Sequence, residues 1–166
     1  MKTLYIIRHA KSSWDFINLP DYERPLNNRG KRDAPMMGRR FKAREILPDC
    51  LVCSPARRAR ETAKAISAEI GFPDERIVYE KNIYEAGITS LLQTIETFPE
   101  EAYSAFFVGH NPGMTYLAEH LTGEQIGNLP TCGVACIDLK IDSWGMVSGE
   151  LGNLAFLDYP KNHFPL

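Results

Sequence analysis

At 166 residues, with 44% hydrophobic and 24% charged side chains and a formal net charge of −2, the chain has the size and balance of one soluble globular domain spanning 1–166. That balance excludes a disordered, collagenous or disulfide-dense chain, and the mild net acidity gives no global case for nucleic acid. No window approaches the roughly 18 apolar residues of a membrane span, and Arg8 and His9 interrupt the short apolar run near the N-terminus, so the expectation is a cytoplasmic protein without a membrane partner.

Short apolar runs rich in branched and aromatic residues alternate with stretches of helical period, the signature of βαβ units. The first run, 3–7, leads into Arg8 and His9. After Asn27, Ala34, Met37, Gly38 and Phe41 recur at helical spacing, but Pro35 removes a hydrogen bond in mid-helix and requires a kink or a late start. The second run is 50–53. Beyond it Ala59, Thr62, Ala63, Ile66 and Ile70 mark the clearest helix, which Gly71 stops. A third run, 76–79, precedes a capping-box pattern of Ser90 and Gln93 ahead of Leu91, Leu92 and Ile95. The fourth, 104–108, is followed by a helix that gathers Met114, Leu117, Ala118 and Leu121 on one face. Runs at 133–141 and 151–157 complete the set. The fold expected is a three-layer α/β/α sandwich with a mostly parallel central sheet.

Four cysteines in two close pairs, Cys50 with Cys53 and Cys132 with Cys136, invite a zinc reading. An odd separation on a strand, however, turns Cys50 and Cys53 to opposite faces. Buried reduced thiols account for all four, and neither a metal nor an organic cofactor is expected.

Three polar clusters each stand directly after a predicted strand: Arg8 and His9, Ser54 to Arg60, and Gly109 to Pro112. In an open parallel sheet the strands' carboxyl ends share one edge, where ligands bind at the point of topological reversal. Two arginines and two histidines gathered there form an electropositive cavity suited to a phosphate dianion. Other phosphoryl chemistries fail on the residues. The GK pair at Gly30 and Lys31 lacks the earlier glycine and the hydroxyl of a nucleotide-binding loop. No cysteine has an arginine six residues on, and no strand ends in a carboxylate cluster able to hold magnesium. A histidine nucleophile is left.

The Arg8-His9-Ala10 run, SPARRARET from Ser54 to Thr62, and GHNPG from Gly109 to Gly113 together resemble the motifs of the histidine phosphatase superfamily, over most of the chain. RHAKSSW from Arg8 and RPLNNRG from Arg24 are similar to those of its compact SixA-type phosphohistidine phosphatases. The resemblance implies a phosphoglycerate mutase-like fold and a phosphatase that acts through a phosphohistidine on His9. Arg8, Arg58 and His110 would bind the phosphoryl oxygens, His110 being protonated when phosphate is bound. The implied substrate is phosphohistidine in a protein. A phosphomonoesterase for small metabolites or phosphoserine, and a non-catalytic phosphate-binding module, are the alternatives. The usual glycine after the histidine is Ala10 here, whose Cβ disfavours positive φ.

The general acid that an alkoxide leaving group needs has two candidates, Glu85 in NIYEAG and Asp15 near the nucleophile, each equally readable as a loop carboxylate. A leaving imidazole, of ordinary pKa about 6.5, needs far less help. Trp14 either walls the cavity or packs beneath a loop. Between Arg24 and Arg44 eight basic residues face one acidic residue, Asp33. They form a solvated helix face or a basic apron that steers an acidic phosphoprotein, in which case neutralising Arg39, Arg40 and Lys42 would slow turnover of phosphoprotein alone.

Overall fold

The computed structural model describes residues 1–163. Among these residues six strands, β1 (Lys2–Arg8), β2 (Cys50–Cys53), β3 (Ile77–Tyr79), β4 (Ser104–Gly109), β5 (Val134–Leu139) and β6 (Gly152–Asp158), form one sheet in the order β3-β2-β4-β1-β5-β6. β1 to β4 run parallel, and β5 is antiparallel to both β1 and β6. Four helices, α1 (Asn28–Ala43), α2 (Arg57–Ile70), α3 (Ile88–Ile95) and α4 (Gly113–Thr122), cover its two faces. None of the helices among the described residues is long and apolar enough to cross a membrane.

Alternation along the strands builds two separate cores, as side chains of period two require. Leu4 and Ile6 of β1, Cys50 and Val52 of β2, and Ala105 and Phe107 of β4 pack on the side of α3 and α4, with Leu91, Ile95, Met114 and Leu117. Their neighbours Ile7, Leu51, Cys53, Phe106 and Val108 pack on the side of α1 and α2, with Met37, Phe41, Ala63 and Ile66. The expected α/β/α layering is therefore present, and Cys50 and Cys53 lie in opposite layers. All four cysteines are buried free thiols.

Pro35 left two courses open for α1, and the start of α3 differs from the sequence reading. α1 begins at Asn28, capped by the Asn27 side chain accepting from the Gly30 N–H at 2.9 Å, and continues through Pro35. The late start is not taken, because a sound N-cap and the buried stripe of Ala34, Met37 and Phe41 outweigh the single lost hydrogen bond. α3 begins at Ile88 after Gly87, so Ser90 lies inside the helix, and its carbonyl accepts from the Thr94 hydroxyl. The capping-box pattern there was fortuitous: burial of Leu91 and Ile95 draws a further turn into the helix.

The chain leaves β1 through α1 toward β2 and leaves β4 through α4 toward β5, on opposite faces and in opposite directions. The seam between β1 and β4 is thus the reversal point, and the crevice beyond its carboxyl end is where a ligand is expected.

Candidate active site

Backbone register assembles the site before any side chain does. Arg8 pairs with Gly109 across the parallel seam. The His9 N–H then donates to Gly109 O at 3.0 Å, the Ser54 N–H to Val108 O at 3.0 Å, and the Cys132 N–H to His9 O at 3.1 Å. The ends of β1, β2 and β4 and the turn entering β5 are stitched together, and His9 and His110 become neighbours with ring centroids 5.1 Å apart. The turn after His9 is held from two sides. The Ala10 N–H donates to Thr62 Oγ1, whose hydroxyl donates to Arg58 O, tying the first turn of α2 to it. Gly30 at the start of α1 lies against the Lys11 carbonyl so closely that no Cβ fits. Ala10 is not among the described residues with positive φ, and its methyl is buried in the α1/α2 core, so alanine suits the position where glycine is usual.

The two imidazoles differ in their bonds. His9 Nδ1 lies 2.7 Å from Ala10 O; a carbonyl only accepts, so Nδ1 carries the hydrogen and Nε2 keeps its lone pair. His110 Nε2 lies 2.7 Å from the Ser54 hydroxyl, which also accepts from the Ala56 N–H. His110 Nδ1 and Arg8 Nε are buried without a hydrogen-bond partner among the described residues. Burial, then the neighbouring His110, Arg58 and Arg8, bring the His9 pKa down to about 3, although its bond to Ala10 works the other way. Burial, then Arg58 and Arg8, bring His110 down to about 4 against the pull of Asp21. Both rings are neutral at pH 7.

That neutrality has a stability consequence of definite sign. An unfolded chain protonates both histidines near their ordinary pKa of about 6.5, before the folded chain does, so stability is complete above that pH and is lost as pH falls toward 4. Denaturant unfolding at pH 5 should show on the order of 3 kcal/mol less stability than at pH 7 from these two groups. His9→Asn should remove about half of that difference. A slope unchanged by the substitution would mean that His9 is already protonated in the folded chain.

Arg58, buried on the first turn of α2, donates from Nη1 to Asp21 O at 2.7 Å and from Nη2 to Asp21 Oδ2 at 3.0 Å. Asp21 also accepts from the Tyr84 hydroxyl at 2.6 Å and from Arg24 at 3.0 Å. Burial works to raise the Asp21 pKa, but the hydrogen bonds from Tyr84, Arg24 and Arg58 and the Arg58 charge outweigh it and hold the carboxyl far below the usual carboxylate range. Sequence reasoning missed Asp21 and Tyr84. Asp21 lies in the irregular segment before α1, where no periodicity marks it; Tyr84 stands beside Glu85 in the segment that had been singled out for its acid.

A cavity of about 350 Å³ holds His9, Arg8, Arg58 and His110 together with Lys11 and Asn111, and no carboxylate lines it among the described residues. Trp14 lines it as well, 72% exposed, with the Arg24 guanidinium 3.3 Å from its ring centroid, so it walls the mouth and does not pack beneath a loop. A second cavity, of about 540 Å³, shares Arg58, His110 and Asn111 with the first and adds Asp21, Tyr84 and Glu85. Glu85 is exposed there at φ 56°. Asp15 is exposed in a different depression, with Phe16, Pro25 and Arg57, and the structure does not bring it to His9. Arg57 and Arg60 are partly exposed and pair with Glu61 and Glu23.

Within the far half of the basic stretch, Arg40 and Arg44 are engaged within the fold, and the side chains of Arg39 and Lys42 stay at the surface. Arg40 donates to Tyr159 O and Pro160 O and pairs with Asp158, Arg39 pairs with Glu69, and the Arg44 guanidinium lies over the Phe156 ring. Lys42 is exposed, and neither it nor the others lines the His9 cavity.

Residues 4–106 match the family model of the histidine phosphatase superfamily, branch 1. The chain is 32% identical over 151 residues to an uncharacterised chloroplastic protein of Arabidopsis thaliana, a match covering 86% of this chain and 69% of that one. In structure it is similar to a candidate phosphohistidine phosphatase SixA from Agrobacterium tumefaciens, with a TM-score of 0.82, 28% identity, and coverage of 96% of this chain and 98% of that one. A second such protein, from Nakamurella multipartitia, gives a TM-score of 0.83 at 22% identity, with 96% of both chains covered, and bears on the fold alone.

Proposed function

Because the chain belongs to the histidine phosphatase superfamily and is a phosphatase of that superfamily, we propose that it hydrolyses phosphohistidine in proteins by way of a phosphoryl group carried on His9. In the first step the Nε2 lone pair of His9 attacks phosphorus in line, a new Nε2–P bond forms, and the N–P bond of a substrate imidazole protonated on its other nitrogen breaks, its electron pair leaving on the former bonding nitrogen so that a neutral imidazole departs. In the second, water attacks phosphorus on the phosphorylated His9, the Nε2–P bond breaks with its electron pair returning to Nε2, a proton of the water is lost to solvent, and orthophosphate and neutral His9 are left. Arg8 and Arg58 bind non-bridging oxygens throughout, and His110 gains a proton as the dianion enters beside it.

The observation that carries this reading is the state of His9: neutral, with Nδ1–H fixed on Ala10 O and Nε2 free, within an arginine- and histidine-lined cavity. Arg8 and His110, which line the same cavity, each keep a buried nitrogen without a partner among the described residues. A carboxylate-free cavity favours phosphohistidine as the substrate, since a leaving imidazole needs little protonation. Asp21 does not fill the acid's place, being held ionised by three donors. Glu85 at the adjoining cavity favours the alternative, a small phosphomonoester with its leaving oxygen turned that way. A non-catalytic module would have no use for an imidazole whose nucleophilic nitrogen is kept free.

Rapid-quench experiments with labelled phosphohistidine protein and with a generic phosphoester distinguish these readings. The expected result is acid-labile label on His9, formed faster from phosphohistidine than from the ester. Faster labelling from the ester would assign the chain to phosphomonoesters. Neither label nor released phosphate from either substrate would overturn the enzymatic reading.

A further inference from the structure

Beside the His9 cavity opens a larger cleft, of about 770 Å³, that shares Arg8, Lys11 and Thr131 with it. Among the described residues its cations are Arg8, Lys11, Arg29, Arg32 and Lys161, against one carboxylate, Asp33. In a chain of net charge −2 this is a marked local reversal. Asp33 is buried and pairs with Arg29 Nε at 3.6 Å and Arg32 Nε at 3.4 Å, and Arg29 Nη2 donates to Thr131 Oγ1 at 2.9 Å. One hidden negative charge thus anchors two guanidinium groups in the wall and leaves most of their donors unused. The Lys11 and Lys161 side chains have no ion-pair or hydrogen-bond partner among the described residues.

The cleft is too large for a second phosphate, and its charges are too dispersed. They come from the turn after β1, the first two turns of α1 and the terminal 3-10 turn Pro160–His163, and do not converge on one point as phosphate sites do. A string of carboxylates fits that spread. The surroundings also suit a macromolecule: Trp14, at the mouth of the adjoining His9 cavity, presents an apolar ring to the outside at 72% exposure.

We propose that this cleft binds an acidic stretch of the phosphorylated protein, seating carboxylates on Lys11, Arg29, Arg32 and Lys161 while the phosphoryl group enters the His9 cavity next to it. The proposal rests on the phosphoprotein reading of the site, yet it can be tested without turnover.

The experiment is fluorescence anisotropy of a labelled, unphosphorylated glutamate-rich peptide on the full chain, with a glutamine-rich peptide of equal length as reference. The glutamate peptide should bind, the glutamine peptide should not, and affinity should fall as salt rises. Arg32→Gln with Lys161→Gln, both clear of the His9 cavity, should weaken the glutamate peptide about five- to tenfold and leave tungstate binding at the His9 cavity unchanged. Equal affinity in the double variant, or no preference for glutamate, would overturn the proposal. So would displacement of the peptide by a small bisphosphate whose own affinity drops in the same variant, since the cleft would then belong to a small polyanion. None of these outcomes depends on which phosphorylated residue the enzyme hydrolyses.

Discussion

His9→Asn is expected to lower phosphoryl transfer by roughly four orders of magnitude or more, the scale seen when a covalent nucleophile is removed. Asparagine keeps an N–H able to reach Ala10 O, which now holds the ring of His9, so the turn after β1 should retain its form. What disappears is Nε2 and with it the proposed attachment point of the phosphoryl group. The variant should still bind tungstate, because Arg8, Arg58 and His110 remain. Single-turnover assays that find no label on the protein, beside unchanged anion binding, would assign the loss to chemistry. Residual turnover within tenfold of the parent chain would mean that water attacks the substrate directly.

Arg58→Ala should cost about a thousandfold in kcat/KM, comparable to removal of a preorganised donor from a developing oxyanion. Arg58→Lys should recover only a small part of it. A lysine restores the charge as a point, whereas Arg58 spans Asp21 O and Asp21 Oδ2 with two separate nitrogens and so offers a planar fork to a phosphoryl group. Asp21 is central to this prediction. Its carboxylate holds the fork in place, and Tyr84 and Arg24 hold the carboxylate, so the guanidinium waits in a fixed plane. Full recovery with lysine would reduce Arg58 to a source of charge.

The layers of the fold were legible because burial imposes its period directly on the residues. Leu4, Ile6 and Phe107 alternate with Ile7, Phe106 and Val108 in the chain as they do across the sheet. The clustering of Arg8, His9, Ser54 and His110 was legible for a related reason: each ends or follows a parallel strand, and parallel strands end on one side. Segments without periodicity gave no such purchase. Asp21 is fixed by three side chains distant in sequence or set by a loop path, and nothing local distinguishes it from Asp15, which points to no shared cavity with His9. The basic stretch shows the same limit. Arg32 and Arg40 are one type of residue on one helix, yet one stands at an open cleft and the other is consumed by the carbonyls of Tyr159 and Pro160. Charge can be counted in a sequence; the carbonyl that occupies it cannot.

The backbone bonds that pin His9 between Gly109 and Cys132 also divide the molecule into two kinds of material. The His9 imidazole and its neighbour His110 ride on hydrogen-bonded strand ends, while Trp14, Asp21, Thr131 and Lys161 belong to connections and to the tail. Changes of length or composition in those connections leave the distance between the two rings where the sheet puts it. A lineage of such chains can therefore exchange one clientele for another by rewriting its loops, with the two imidazoles inherited in place.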